Sequence, residues 1–100
     1  MEKRIKPAVL LSFMKEVILQ SRLLADERNS ATPRQQKQLL ERIWFNMDLI
    51  HNIPDLLLAE SKLDEEFFLE MLASYDQIWP KYLGKSLTET FKQCLKEYSD

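Results

Sequence analysis

His51, the only histidine, stands between two carboxylates, with Asp48 three residues before it and Asp55 four after. Residues three and four apart share a helix face, so this spacing sets a carboxylate beside the imidazole on both sides. Such a group passes a proton or supplies ligands to a divalent metal. A histidine in the last turn of a helix has a simpler task, answering the terminal carbonyls and the negative end of the dipole. With no second histidine and a single cysteine, Cys94, a metal set is weakly supported, and the simpler task is the expected one.

Other candidate groups thin out in the same way. Glu66 and Glu70 are spaced i, i+4, with Glu60, Asp64 and Glu65 nearby. Di-metal bundles commonly need a Glu-x-x-His or Glu-x-x-Glu motif on another helix, and the chain has neither. Asp64, Glu65 and Glu66 also suit a helix start, where negative charge answers the dipole. Cys94 lies on an apolar stripe, where a free cysteine acts as a small hydrophobe. One cysteine forms no internal disulfide and suits a reducing compartment. None of the seven serines sits in a nucleophile elbow, and the single glycine rules out a glycine-rich phosphate loop. No cofactor is expected.

The charges are unevenly spread. Residues 48–76 hold eight acids and one base, Lys62, while residues 1–47 hold nine bases and five acids. The basic residues form no continuous ladder: Lys3, Arg4 and Lys6 lie at one end, and Arg34, Lys37 and Arg42 on the second helix. With net charge −2, the electrostatic term that dominates nucleic-acid binding is missing.

The elements that position these groups are all helical. The chain has 100 residues, 45% of them hydrophobic, with one glycine and four prolines. That length suits one domain, residues 1–100. Alternating strand patterns are absent. Pro7 suits the first position of a first helix running to about Arg28, its stripe formed by Leu10, Phe13, Met14, Val17, Ser21 and Leu24 and widened by Leu11, Ile18 and Ala25. Thr32, Pro33 and Gln35 give a cap, a first-position proline and a capping-box partner for a second helix running to about His51. Apolar residues cover more than half of its circumference, in two sets: Leu40, Ile43, Trp44, Met47 and Ile50, then Phe45, Leu49, Ile53 and Leu56. A helix so widely apolar is expected at the centre of the fold, with neighbours on two sides.

Asn52-Ile53-Pro54 is expected to break that helix, because proline lacks the donor and clashes with the carbonyl of Ile50. A short helix then follows to about Glu60. Replacing a proline placed there by alanine would cost no more than about 1 kcal/mol. Ser61 and Asp64 cap a third helix, from about Lys62 to Ile78, with Phe68, Met71, Leu72, Tyr75, Ile78 and Trp79 on one face and Asp76 off it. Pro80 ends it, and Gly84 supplies a left-handed residue in the turn. Ser86 and Glu89 box a fourth helix to about Tyr98, with Leu87, Phe91, Cys94, Leu95 and Tyr98 as its stripe. The expected fold is all-α, an antiparallel bundle of four to five helices.

The first residues place Lys3, Arg4 and Lys6 before an apolar run, but Ser12, Lys15 and Glu16 interrupt it and no small-residue cleavage site follows. No stretch approaches the apolar length of a membrane span. A cytoplasmic protein is expected.

Adjacent aromatics carry a further message. Trp44 beside Phe45, and Phe67 beside Phe68, cannot both point inward, so one of each pair lies at the core edge or on a contact surface. Two functions are weighed. The first is a non-enzymatic protein-binding module, most concretely a small acidic inhibitor of the immunity or antitoxin type. It would engage a basic partner, such as a toxin or nuclease, through Glu60, Asp64, Glu65, Glu66, Glu70, Phe67 and Trp44. Association through a bundle face with a second copy is its plain version. The alternative is a small helical metal-binding protein or enzyme using His51 with Asp48, Asp55 and nearby carboxylates.

Overall fold

Pro7 opens helix α1, Pro7–Glu27, which passes into a 3-10 turn over Arg28–Ser30. The remaining helices are α2, Pro33–Leu58, α3, Glu65–Asp76, and α4, Leu87–Glu97. The computed structural model describes residues 4–58, 64–79 and 85–98, with backbone alone for 56–58. Expectations placed on Glu60, Ser61, Pro80 and Gly84 lie outside the described residues.

Local chemistry accounts for most boundaries. Thr32 and Gln35 form the full reciprocal box: the Gln35 amide donates to Thr32 Oγ1 at 3.3 Å and the Thr32 amide to Gln35 Oε1 at 3.1 Å. Asp64 caps α3, accepting from the Phe67 amide at 3.0 Å. Ser86 caps α4, accepting from the Glu89 amide at 3.0 Å. Arg4, in extended geometry, makes an isolated antiparallel bridge to Asp64.

Neighbouring helices run antiparallel. Between α1 and α2, Ser21 meets Asn46 and Leu24 joins Leu39 in one small cluster. Between α1 and α4, Gln20 donates to Thr90 while Lys6 reaches the Tyr98 carbonyl. Phe45 packs on Tyr75 and Arg42 lies over Trp79 between α2 and α3. Phe68 meets Phe91, and Asp76 meets Leu87, between α3 and α4. Each pair shows one number rising as the other falls. This is an antiparallel bundle of four helices among the described residues.

The core centres on α1. Phe13 lies edge-on to Phe68 at 5.7 Å and to Phe91 at 5.6 Å, and those two rings are 4.7 Å apart. Leu10, Val17, Leu72 and Leu87 close around them, fully buried. The central stripe expected for α1 is buried, with Met14 only partly covered, but Leu11, Ile18 and Ala25, expected to widen it, are exposed.

Two expectations for α2 are corrected. The helix does not break at Pro54 but runs through it to Leu58. Ile50 and Ile53 are both buried in the core cluster, so tertiary packing holds the helical path against the local cost of the ring. Nor is α2 central. It buries a single stripe, Leu39, Arg42, Asn46, Leu49, Ile50 and Ile53, and leaves Leu40, Trp44 and Met47 exposed.

The continuous helix reverses the expectation for Pro54, whose side chain is exposed. Pro54→Ala restores a helix hydrogen bond and removes a clash. That gain outweighs the looser unfolded chain, for a net stabilisation of about 1 kcal/mol or more. Urea unfolding measures it, and a loss of stability would show that the ring is needed for packing.

Candidate functional site

α2 and α3 meet along Phe45, whose ring lies 4.8 Å from Tyr75 and 5.8 Å from Trp79. With the core on one side of this contact, helical periodicity turns Glu41, Trp44 and Asp48 of α2 to the other side. On α3, Phe67 and Ser74 are exposed, while Met71 packs against the core; Ile78, expected on the core face of the third helix, lies just past its end and is exposed. Trp44 is 67% exposed, Ile78 64% and Phe67 53%. A groove of about 540 Å³ opens on α2 against Trp79, which lies just past the end of α3, and is lined by Leu40, Glu41, Trp44, Phe45, Asp48 and Trp79. The wall of this groove is therefore aromatic and aliphatic, with carboxylates along it.

Beneath the groove lies Arg42, only 3% exposed. Its guanidinium carbon sits 5.8 Å from the Phe45 ring centre and 5.7 Å from that of Trp79, a cation beside two rings that are themselves in contact. Burial pulls its pKa below the ordinary arginine value, and the Asp76 carboxylate pulls it partly back. Arginine keeps its charge under such a shift. This corrects the grouping of Arg42 with the exposed bases Arg34 and Lys37. Asn46, one turn on, donates to Ser21 Oγ at 3.1 Å. Arg42 Nε, Asn46 Oδ1 and Trp79 Nε1 are buried without a hydrogen-bond partner among the described residues.

Sequence reasoning passed over Arg42 and Asn46, although a signal was present. Leu39, Arg42, Asn46, Leu49 and Ile53 follow steps of three and four, so the two polar residues fall within a core stripe. Asp76 carried no such signal. Expected only to lie off the apolar face of its helix, it is partly buried, and its carboxylate accepts from the Leu87 amide at 2.8 Å, the Thr88 amide at 2.9 Å and Thr88 Oγ1 at 2.5 Å. It caps α4 from α3.

The expected partner-binding residues fall into separate places. Asp64 is engaged in capping and Glu65 is partly buried. Glu66, Phe67 and Glu70 are exposed on α3. Trp44 is exposed on α2. Phe67 stands eight residues before Tyr75, the partner of Phe45, so the two aromatic ends are about 12 Å apart along the axis. Phe68 is buried beside exposed Phe67, and Phe45 is partly buried beside exposed Trp44, the alternation that adjacent aromatics require.

His51 lies well inside α2, seven residues before its end, and is exposed with Asp48 and Asp55. It therefore does not answer the helix C-terminus as expected. Among the described residues, no group of three or more His, Cys, Asp or Glu is placed to hold a metal ion. Cys94 is buried, 3.5 Å from Ser12 Oγ. Burial raises the pKa of its thiol, with the Ser12 contact acting in the opposite direction. No described helix is long and apolar enough to cross a membrane.

No protein-family model, curated protein or solved structure matches this chain.

Proposed function

We propose that this protein is a non-enzymatic protein-binding module that recognises a basic partner through the outer surface of α3 and its seam with α2. The observation that carries this reading is the exposure of Trp44 on α2, Phe67 on α3 and Ile78 just past its end, on helices that also expose Glu41, Asp48, Glu66 and Glu70. Large exposed aromatics with a polar rim mark protein contact surfaces. The carboxylates would steer a partner rich in lysine or arginine, and the apolar side chains would hold it. The most concrete member of this class is an inhibitor of the immunity or antitoxin type, which covers the basic cleft of a toxin or nuclease. That narrower reading is an analogy drawn from its small size and acidic surface.

A native pull-down from the source cell, with mass spectrometry, supplies the partner, and association kinetics test the surface. The double variant Glu66→Gln, Glu70→Gln is expected to keep its folding stability within about 0.5 kcal/mol, since both side chains are exposed. It should associate more slowly than the parent, with a flatter salt dependence. An unchanged on-rate at low and moderate salt would remove α3's acids from recognition. Metal analysis of the purified protein tests the other class: a stoichiometric divalent ion would favour His51 with Asp48 and Asp55 as a metal site.

A further inference from the structure

On α2, Leu40, Trp44, Met47 and His51 follow steps of four, three and four residues and all are exposed. That is the spacing of a coiled-coil seam. It lies nearly opposite the buried stripe, and its residues are exposed among the described residues. The seam runs about 16 Å along the axis, enough for three turns of a second helix. The groove beside it, walled by Trp44, Phe45 and Trp79, offers a recess for a side chain.

The edge of the seam is charged in one sense. Glu41, Asp48 and Asp55 recur every seven residues along it, all exposed, and the sequence has no lysine or arginine from 43 to 61. In a coiled coil these are flanking positions, whose charges choose the partner. We infer that this seam docks an amphipathic helix with an apolar stripe and lysine or arginine on its flank. The inference rests on the protein-binding reading above and names the partner's form and the helix that receives it.

A second copy of the chain fits the seam poorly. Two α2 helices laid antiparallel set Glu41 of one copy near Asp48 of the other, like against like. Laid parallel, they set the acids against Ile43 and Ile50, apolar residues that give no counter-charge. Nucleic acid is repelled by the same acidic edge.

The test uses three synthetic helical peptides of three heptads each. One has a leucine seam with lysine and arginine flanks, one the same seam with glutamate flanks, and one the basic composition scrambled. Each is titrated into the ¹⁵N-labelled full chain. The basic amphipathic peptide is expected to saturate below about 1 mM, with amide shifts gathered on residues 40–55 and on the Trp44 indole. The acidic and scrambled peptides should bind at least about tenfold more weakly. Trp44→Ala, at an exposed position that leaves the fold intact by circular dichroism, should weaken the basic peptide about tenfold or more. Changing Glu41, Asp48 and Asp55 to their amides should flatten the salt dependence.

Failure of all three peptides to bind would overturn the inference, as would equal binding of the basic and scrambled peptides. Shifts gathered on Glu66 and Glu70 would overturn it while leaving the wider reading of a basic partner in place. Sedimentation of a dimer that Trp44→Ala abolishes would assign the seam to a second copy. If the α3 acids prove silent in the partner kinetics while the basic peptide still occupies α2, the docking seam stands and the α3 part of the proposed function falls.

Discussion

Phe13→Ala is expected to lose about 4 kcal/mol of folding stability, within the range for emptying a phenylalanine site in a packed core. Phe13 is the only ring that α1 contributes to the core, and it meets Phe68 from α3 and Phe91 from α4 at once. All three are fully buried. Removing the ring takes away its transfer free energy, two edge-to-face contacts and the support of both neighbours. Phe13→Leu keeps most of the volume and should lose about 1–2 kcal/mol. Urea unfolding at 25 °C measures both, with an unchanged slope indicating that cooperativity is kept. A loss below about 2 kcal/mol for the alanine variant would mean that neighbouring side chains refill the space, and that the three rings do not act as the centre of the core.

The contrast between α1 and α2 shows what a sequence of this kind discloses. The central stripe of α1 is legible because a starting proline marks where the helix begins and its charged residues fall off the stripe. Thr32, Gln35 and Ser86 are equally legible, since a cap acts over three residues and its partners are neighbours in the chain. Pro54 was misread because propensity is local, whereas the burial of Ile50 and Ile53 that overrides it is tertiary. The wide apolar coverage of α2 was misread for a related reason. Periodicity shows that Leu40, Trp44 and Met47 share a side, but not whether this chain supplies something to cover them. The described residues leave them exposed, and that difference between pattern and burial is the strongest pointer to a partner.

The candidate site was legible in its parts and not in its assembly. The division of Trp44 from Phe45, and of Phe67 from Phe68, follows from adjacency alone. The register of α3 against α2 places Trp44 near Trp79 and leaves Phe67 more than two turns away, and no spacing in the sequence encodes that. Arg42 illustrates the same limit. As a basic residue on a mostly polar helix start it looks solvated, yet one of the two rings beside it, Trp79, comes from the chain just past α3, far away in sequence.

Asp76→Ala is expected to lose about 2–3 kcal/mol, more than a typical helix cap. Asp76 accepts three hydrogen bonds from the first turn of α4: the amides of Leu87 and Thr88 and the Thr88 hydroxyl. Leu87 is buried, so its amide is poorly placed to find water once the carboxylate is gone, and an unmet buried donor costs about 1–3 kcal/mol. The carboxylate also offsets part of the burial cost of Arg42. Removing it therefore weakens the α3–α4 junction and leaves the Arg42 cation without that support. Ser86→Ala, which removes a single cap bond to the Glu89 amide, should lose only about 1 kcal/mol. Asp76→Asn keeps an acceptor oxygen but not the charge, and should fall between the two. Native-state hydrogen exchange gives the spatial check: the amides of Leu87 and Thr88 should lose protection first in Asp76→Ala, while those in the middle of α1 should fall only as far as global stability does. Equal losses for Asp76→Ala and Ser86→Ala would show that the cap from α3 adds nothing to the one α4 already carries.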